Sequence, residues 1–156
     1  MRICLIISIL FFTVFVEAQE TKINWLDFEA LENALEAQPK KVLVYFYADW
    51  CVYCKKMDRS VYSKEDVKTI LNDGYYAVKF NVESNEIIQF GRKTFVNEQF
   101  GKKRNPIHQI PEYLAGRPNE TIELPATVIL NEDFEIEKRF YRYISPTEML
   151  SILKEE

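Results

Sequence analysis

Apolar and polar residues along this chain follow two different periods, and the changes of period mark its elements. From Trp25 to Ala37 the apolar positions 25, 26, 28, 31, 34 and 35 recur at helical spacing, with Asn24 as a possible cap and Pro39 closing the stretch. Val42 to Ala48 is an unbroken run of branched and aromatic residues, the pattern of a central strand buried on both faces. A helix is expected from Cys51 through Met57. Another follows, with Ser63 as its cap, Glu65 and Asp66 in its first turn and Gly74 as its stop. Tyr75 to Val82 is the next strand.

The stretch 84–123 is less regular. Ile87–Phe90 and Lys93–Val96 flank Gly91-Arg92, which suits a hairpin with glycine first in its turn, and Ile110–Ala115 is a short helix ended by Gly116. Leu124–Leu130 and Phe134–Tyr143 are strands joined at Asn131-Glu132-Asp133. Ser145, Pro146 and Glu148 then announce a final helix through a capping box. A strand–helix crossover closed by an antiparallel hairpin and a helix is an α/β fold, a mixed central sheet flanked by helices, with an insert at about residues 84–123.

The N-terminus stands apart from this pattern. Met1-Arg2 is a short basic start, Ile3 to Val16 is almost wholly apolar, and Val16-Glu17-Ala18 offers a cleavage point before Gln19. The apolar run, about 14 residues, falls short of the roughly 20 needed to span a bilayer. Residues 1–18 are therefore expected to be a signal peptide, and residues 19–156 a single domain in an exported protein. Cys4 lies inside the apolar run, which argues against lipid attachment at its end. Arg2 and Glu17 leave together, so the net charge stays at −4. That mild balance carries no basic stripe for nucleic acid, and Lys102-Lys103-Arg104 is read as a solvated loop.

The chemistry lies in the cysteines. With Cys4 removed, only Cys51 and Cys54 of the three remain. The loop they close is too small to staple a fold, and export places them where disulfides persist, so they point to redox work. Cys51 follows a buried strand and opens a helix, whose free N–H groups favour a thiolate. The bland alternatives are half a metal site or an inert helix-end disulfide. A structural zinc needs four ligands, and the one histidine, His108, lies far along the chain, so no metal is expected. His108 itself is read as a surface or helix-start residue of the insert. Phe90, Phe95, Phe100 and Tyr113 are read as the insert's own small core.

Tyr45 to Met57, with Trp50 immediately before Cys51-Val52-Tyr53-Cys54, resembles the active-site strand, turn and helix of the thioredoxin family. Lys79 to Glu83 is similar to that family's next strand, and Leu124-Pro125-Ala126-Thr127-Val128 to its cis-proline segment. The longer pattern, with its hairpin and His108 before a short helix, resembles cell-envelope thioredoxin-like proteins of Gram-negative bacteria. The resemblance implies a thioredoxin-like fold and a thiol–disulfide oxidoreductase using a redox-active Cys51–Cys54 disulfide, with Cys51 attacking and Cys54 resolving. Trp50, Val52, Tyr53, Leu124 and Pro125 would support the substrate, and Pro125, which sequence alone reads equally well as an ordinary strand start, would be cis. A reductase is the leading reading, with an oxidase or isomerase second and a redox-inert binding module third. No cofactor is implied. The expected partners are client proteins with disulfides or thiols and a membrane-bound or soluble thiol redox partner, the protein itself acting as a monomer in the periplasm. One departure stands out. Tyr45 occupies the place where thioredoxins carry a buried acid near the lysine matched by Lys79, leaving Glu83, Asp49 or water to take the Cys54 proton.

Overall fold

The computed structural model describes residues 21–155, so the expected signal peptide at 1–18 lies outside the described residues. Around one apolar cluster run strands β1 (Trp25–Leu26), β2 (Lys41–Tyr47), β3 (Tyr75–Asn81), β6 (Ala126–Leu130) and β7 (Ile136–Phe140). They form one sheet in the order β1-β3-β2-β6-β7. The β1–β3 and β2–β3 pairs are parallel, and β2–β6 and β6–β7 are antiparallel, giving the expected mixed sheet. Val42 to Phe46 are fully buried, as an unbroken apolar strand paired on both edges requires. Helices α1 (Phe28–Ala37), α2 (Val52–Ser60), α3 (Glu65–Gly74), α4 (Gln109–Ala115) and α5 (Pro146–Lys154) complete the chain with a separate hairpin, β4 (Ile88–Phe90) and β5 (Lys93–Phe95).

Several boundaries differ from the sequence reading. The helix expected from Trp25 begins at Phe28, because Asp27 accepts the Ala30 N–H at 2.7 Å and acts as the cap. Trp25 and Leu26 instead pair with Ala77 and Val78, and the Trp25 ring meets Tyr62 edge-on at 5.2 Å. Ser63 does not cap α3. Its hydroxyl donates to the Arg59 carbonyl at 2.7 Å, and Lys64 takes the cap position without a side-chain bond. In the hairpin both Gly91 and Arg92 have positive φ, 58° and 62°, which is the double left-handed turn that matches strand twist, and the Gly91 N–H donates to Glu32. The β6–β7 turn extends to Phe134 (φ 61°), held by the Asn131 side chain, which accepts from the Asp133 and Glu135 N–H groups.

The insert has less of a core of its own than the sequence suggests. Phe90 is buried against Phe28 of α1 and against Phe134, with ring centroids 5.5 and 5.2 Å apart, so it belongs to the main cluster. Phe95 is also buried there, whereas Phe100 and Tyr113 are exposed. The hairpin packs on α1, and that contact draws its inward aromatics into the central cluster.

His108 begins α4, as one of its two readings had it, but it is buried and not on the surface. Its Nδ1 accepts the Ile110 N–H at 3.1 Å and its Nε2 lies 3.0 Å from the Glu86 carbonyl. Both contacts are satisfied together only by the neutral ring carrying its proton on Nε2. The His108 N–H donates to the Val82 carbonyl at 2.8 Å, which ties α4 to the end of β3. Burial, more than any other influence, lowers the imidazole's proton affinity below its usual value of 6.5. The folded chain then binds fewer protons than the unfolded one just below that pH. Its stabilisation is complete above about pH 6.5 and is lost as pH falls below it. Denaturation midpoints measured at about pH 7 and about pH 5 should therefore drop in the parent, and less in His108→Asn, whose amide keeps a cap acceptor without titrating. An equal drop in both would assign the effect to other groups.

Candidate functional site

The site grows out of the end of β2. Past Tyr47 the chain turns, the Cys51 N–H donating to the Ala48 carbonyl at 3.0 Å, and enters α2. Cys51 is the N-cap of α2, and its Sγ accepts the Cys54 N–H at 3.1 Å. An N-cap acceptor is normally a hydroxyl or carboxylate oxygen, and here sulfur fills that role, in a position where negative charge is favoured. Cys51 and Cys54 form a disulfide with Cα atoms 5.2 Å apart. Both residues are nearly closed off, Cys51 at 4% exposure and Cys54 at 1%.

The surroundings are far more open. Trp50, Val52 and Tyr53 are exposed by 52%, 73% and 59%, so exposed apolar side chains flank the pair. The Trp50 indole is oriented, its Nε1–H donating to Glu83 at 2.9 Å, and the Glu83 N–H is held in turn by the Asn81 side chain. Register places Pro125 beside the same turn. Phe46 pairs with Ala126, the first residue of β6, and Pro125 directly precedes it. The Leu124–Pro125 bond is cis. A groove of about 590 Å³ is lined by Trp50, Tyr53, Ile122, Leu124, Pro125, Tyr141 and Tyr143, together with Glu123 and Arg142. Four of the five supporting residues read from the sequence, Trp50, Tyr53, Leu124 and Pro125, thus line one groove. Val52 is solvent-exposed and is not among its walls.

Beneath the pair the arrangement departs from the sequence reading. Tyr45 is fully buried and its hydroxyl donates to the Cys54 carbonyl at 3.1 Å. Burial first, and then the charge of Asp58, push that phenol well above the usual range, so it stays protonated and serves as a donor. Lys79 pairs with Asp58 at 2.8 Å and lies over the Tyr45 and Tyr47 rings at 5.6 and 4.7 Å. Asp58 was not singled out from the sequence. Its signal was available in the spacing, four residues after Cys54 on one helix face. His108 takes part only at a distance, through Val82. Among the described residues no group of histidines, cysteines and carboxylates could hold a metal ion.

A C-x-x-C disulfide that caps a helix at the carboxyl end of a buried parallel strand, next to a cis-proline loop, defines a thioredoxin-fold protein. The chain belongs to the family described as Thioredoxin-like, whose profile matches residues 24–115. Over 47 residues it is 45% identical to a protein of Pseudomonas sp. (strain JR1 / K1) described as thiol:disulfide interchange protein DsbD, a match covering 28% of this chain and 8% of that protein's length. The chain therefore spans only a small part of that curated relative. Solved structures share the fold: a thioredoxin from Thermus thermophilus (TM-score 0.59, 18% identity, 85% of each chain) and a DsbH oxidoreductase (0.56, 18%, 85% of this chain and 83% of that one). The reduced C-terminal domain of DsbD from Neisseria meningitidis also superposes (0.51, 15%, 83% and 96%).

The Trp50–Glu83 contact is open to direct measurement. In Glu83→Ala the Trp50 indole N–H resonance should move upfield and exchange faster with water, while stability changes by no more than about 1 kcal/mol because the pair is exposed. An unmoved resonance would show that Glu83 does not orient the ring.

Proposed function

We propose that the protein is a thiol–disulfide oxidoreductase acting on other proteins through Cys51 and Cys54, in the reducing direction. The observation that carries this is the Cys51 sulfur in the N-cap position of α2, accepting the Cys54 N–H, with its chain neighbours Trp50 and Tyr53 lining an apolar groove. In the dithiol form, Cys51 as thiolate attacks one sulfur of a client disulfide. The client S–S bond breaks, and its other cysteine leaves as a thiolate and takes up a proton. Cys54, deprotonated in turn, attacks the Cys51 sulfur, expels the remaining client thiolate and closes the Cys51–Cys54 disulfide. Two electrons have moved to the client, and a second thiol donor, membrane-bound or soluble, resets the pair. Trp50, Tyr53, Leu124 and Pro125 would hold an extended client segment in the groove, and no cofactor enters the cycle.

The same reading places a single domain, residues 19–156, in the periplasm of a bacterial cell envelope, after loss of a signal peptide at 1–18. The short apolar run supports this, and no helix among the described residues is long and apolar enough to cross a membrane.

Two outcomes follow. Cys54→Ser should accumulate mixed disulfides with clients and Cys51→Ser should not, seen as thiol-sensitive adducts on non-reducing gels; the reverse pattern would exchange attacker and resolver. N-terminal sequencing of the mature protein should begin at or near Gln19, and recovery of Met1 on membrane-bound protein would overturn the export assignment.

A further inference from the structure

One part of the groove lining comes neither from the cysteine-bearing helix nor from the proline loop. Tyr141 and Tyr143, just past the end of β7, line it, and so does Ile122 from the end of the insert. The family profile stops at residue 115, so all three side chains lie outside the stretch it matches.

Tyr141 is held at two points by the insert. Its hydroxyl donates to the carbonyl of Ala115, the last residue of α4, at 2.8 Å. The Arg117 guanidinium lies 3.9 Å from the centre of its ring, within stacking range. Arg117 is fixed in turn by Glu120 at 2.8 Å, and two residues before Tyr141 the Arg139 side chain donates to the Leu114 carbonyl at 2.8 Å. Arg117 is not among the residues that line the groove, so it supports the ring without being part of the client surface. A tyrosine pinned through its hydroxyl and one face has given up rotamer freedom before any client arrives. Ordering that a client would otherwise have to impose is already complete.

Charge does little to define what this surface accepts. Both Glu148 carboxylate oxygens engage the Arg142 guanidinium. The other charged lining residue, Glu123, is 69% exposed to water and 3.8 Å from Arg117. Rings and aliphatic chains dominate the rest. Such a surface favours an apolar side chain, and a flat one gains a ring contact as well.

Resting on the oxidoreductase reading, we propose that Tyr141 is a specificity-determining residue that favours clients with an aromatic side chain beside the reacting cysteine, and that Arg117 positions it. Through α4 and Arg117 the insert helps to set client choice.

The test compares two synthetic peptides, each a symmetric disulfide dimer, that differ only in having phenylalanine or serine next to the cysteine. The reduced protein is mixed with each, and loss of dimer is followed by chromatography. Cys51 bonds to one peptide sulfur and the other peptide leaves as a thiol. Cys54 then releases the second peptide thiol as the Cys51–Cys54 disulfide closes, so two electrons pass to the peptides. The parent should consume the phenylalanine dimer roughly tenfold faster than the serine dimer. In Tyr141→Ala that ratio should fall to within about twofold, while the rate with 5,5′-dithiobis(2-nitrobenzoate), which needs no peptide contact, stays within about threefold of the parent. Tyr141→Phe, which keeps the ring and loses only the hydroxyl bond, should retain most of the preference. Arg117→Ala should lower the ratio about threefold, and Arg117→Lys, which keeps a cation over the ring, should restore part of it. Equal rates for the two dimers in the parent, or the parent's ratio preserved in Tyr141→Ala, would overturn the specificity assignment and leave the oxidoreductase reading intact. A parent that reduces neither the dimers nor the small reagent would overturn that reading, and this assignment with it.

Discussion

Strand β2 is paired on both edges and buried over five consecutive residues, and the position of the site is a consequence of that burial. A strand so enclosed cannot shift by one residue without turning every side chain to the opposite face, so its register is fixed on both sides. That fixed register delivers Cys51 to the start of α2 and pairs Phe46 with Ala126, next to Pro125. The disulfide, the groove and the exposed aromatic rim are therefore placed by apolar packing some residues away, before any interaction of the sulfurs themselves.

A second layer of support comes from the insert. His108 joins α4 to Val82 and to Glu86, and Val82 directly precedes the Glu83 that orients Trp50. The ring of contacts runs from a buried imidazole through the end of β3 to an exposed indole at the mouth of the site. The insert is thus tied to the end of β3 by the His108 backbone and to Glu86 by its ring.

The strands and helices that bury a full face were legible in the sequence because periodicity reports burial directly. β2, β3 and the Ser145 cap of α5 were placed within a few residues of where they occur. What escaped were choices between chemically similar residues. Asn24 and Asp27 are equally good caps, and only the pairing of Trp25 with Ala77 decides between them. Ser63 is an apt cap by type, but the end of α2 claims its hydroxyl first. At the site, the cysteines, Trp50 and the proline segment were visible as a contiguous motif. Asp58 was not, because its ion pair depends on Lys79 arriving from a strand. Relations between distant positions of that kind leave no local pattern.

The two outer strands of the sheet carry a consequence for how the protein behaves in a crowded compartment. β1 is only two residues long, and β7 alternates half-buried residues with outward Glu137 and Arg139, while Lys138 is tied to Glu155. Short or charged borders of this sort are poor templates for a neighbouring chain in search of backbone partners. A sheet with long apolar borders would be at risk of being extended by neighbouring chains into a growing ribbon. Blunted borders let such a protein touch extended polypeptides and stay separate from them.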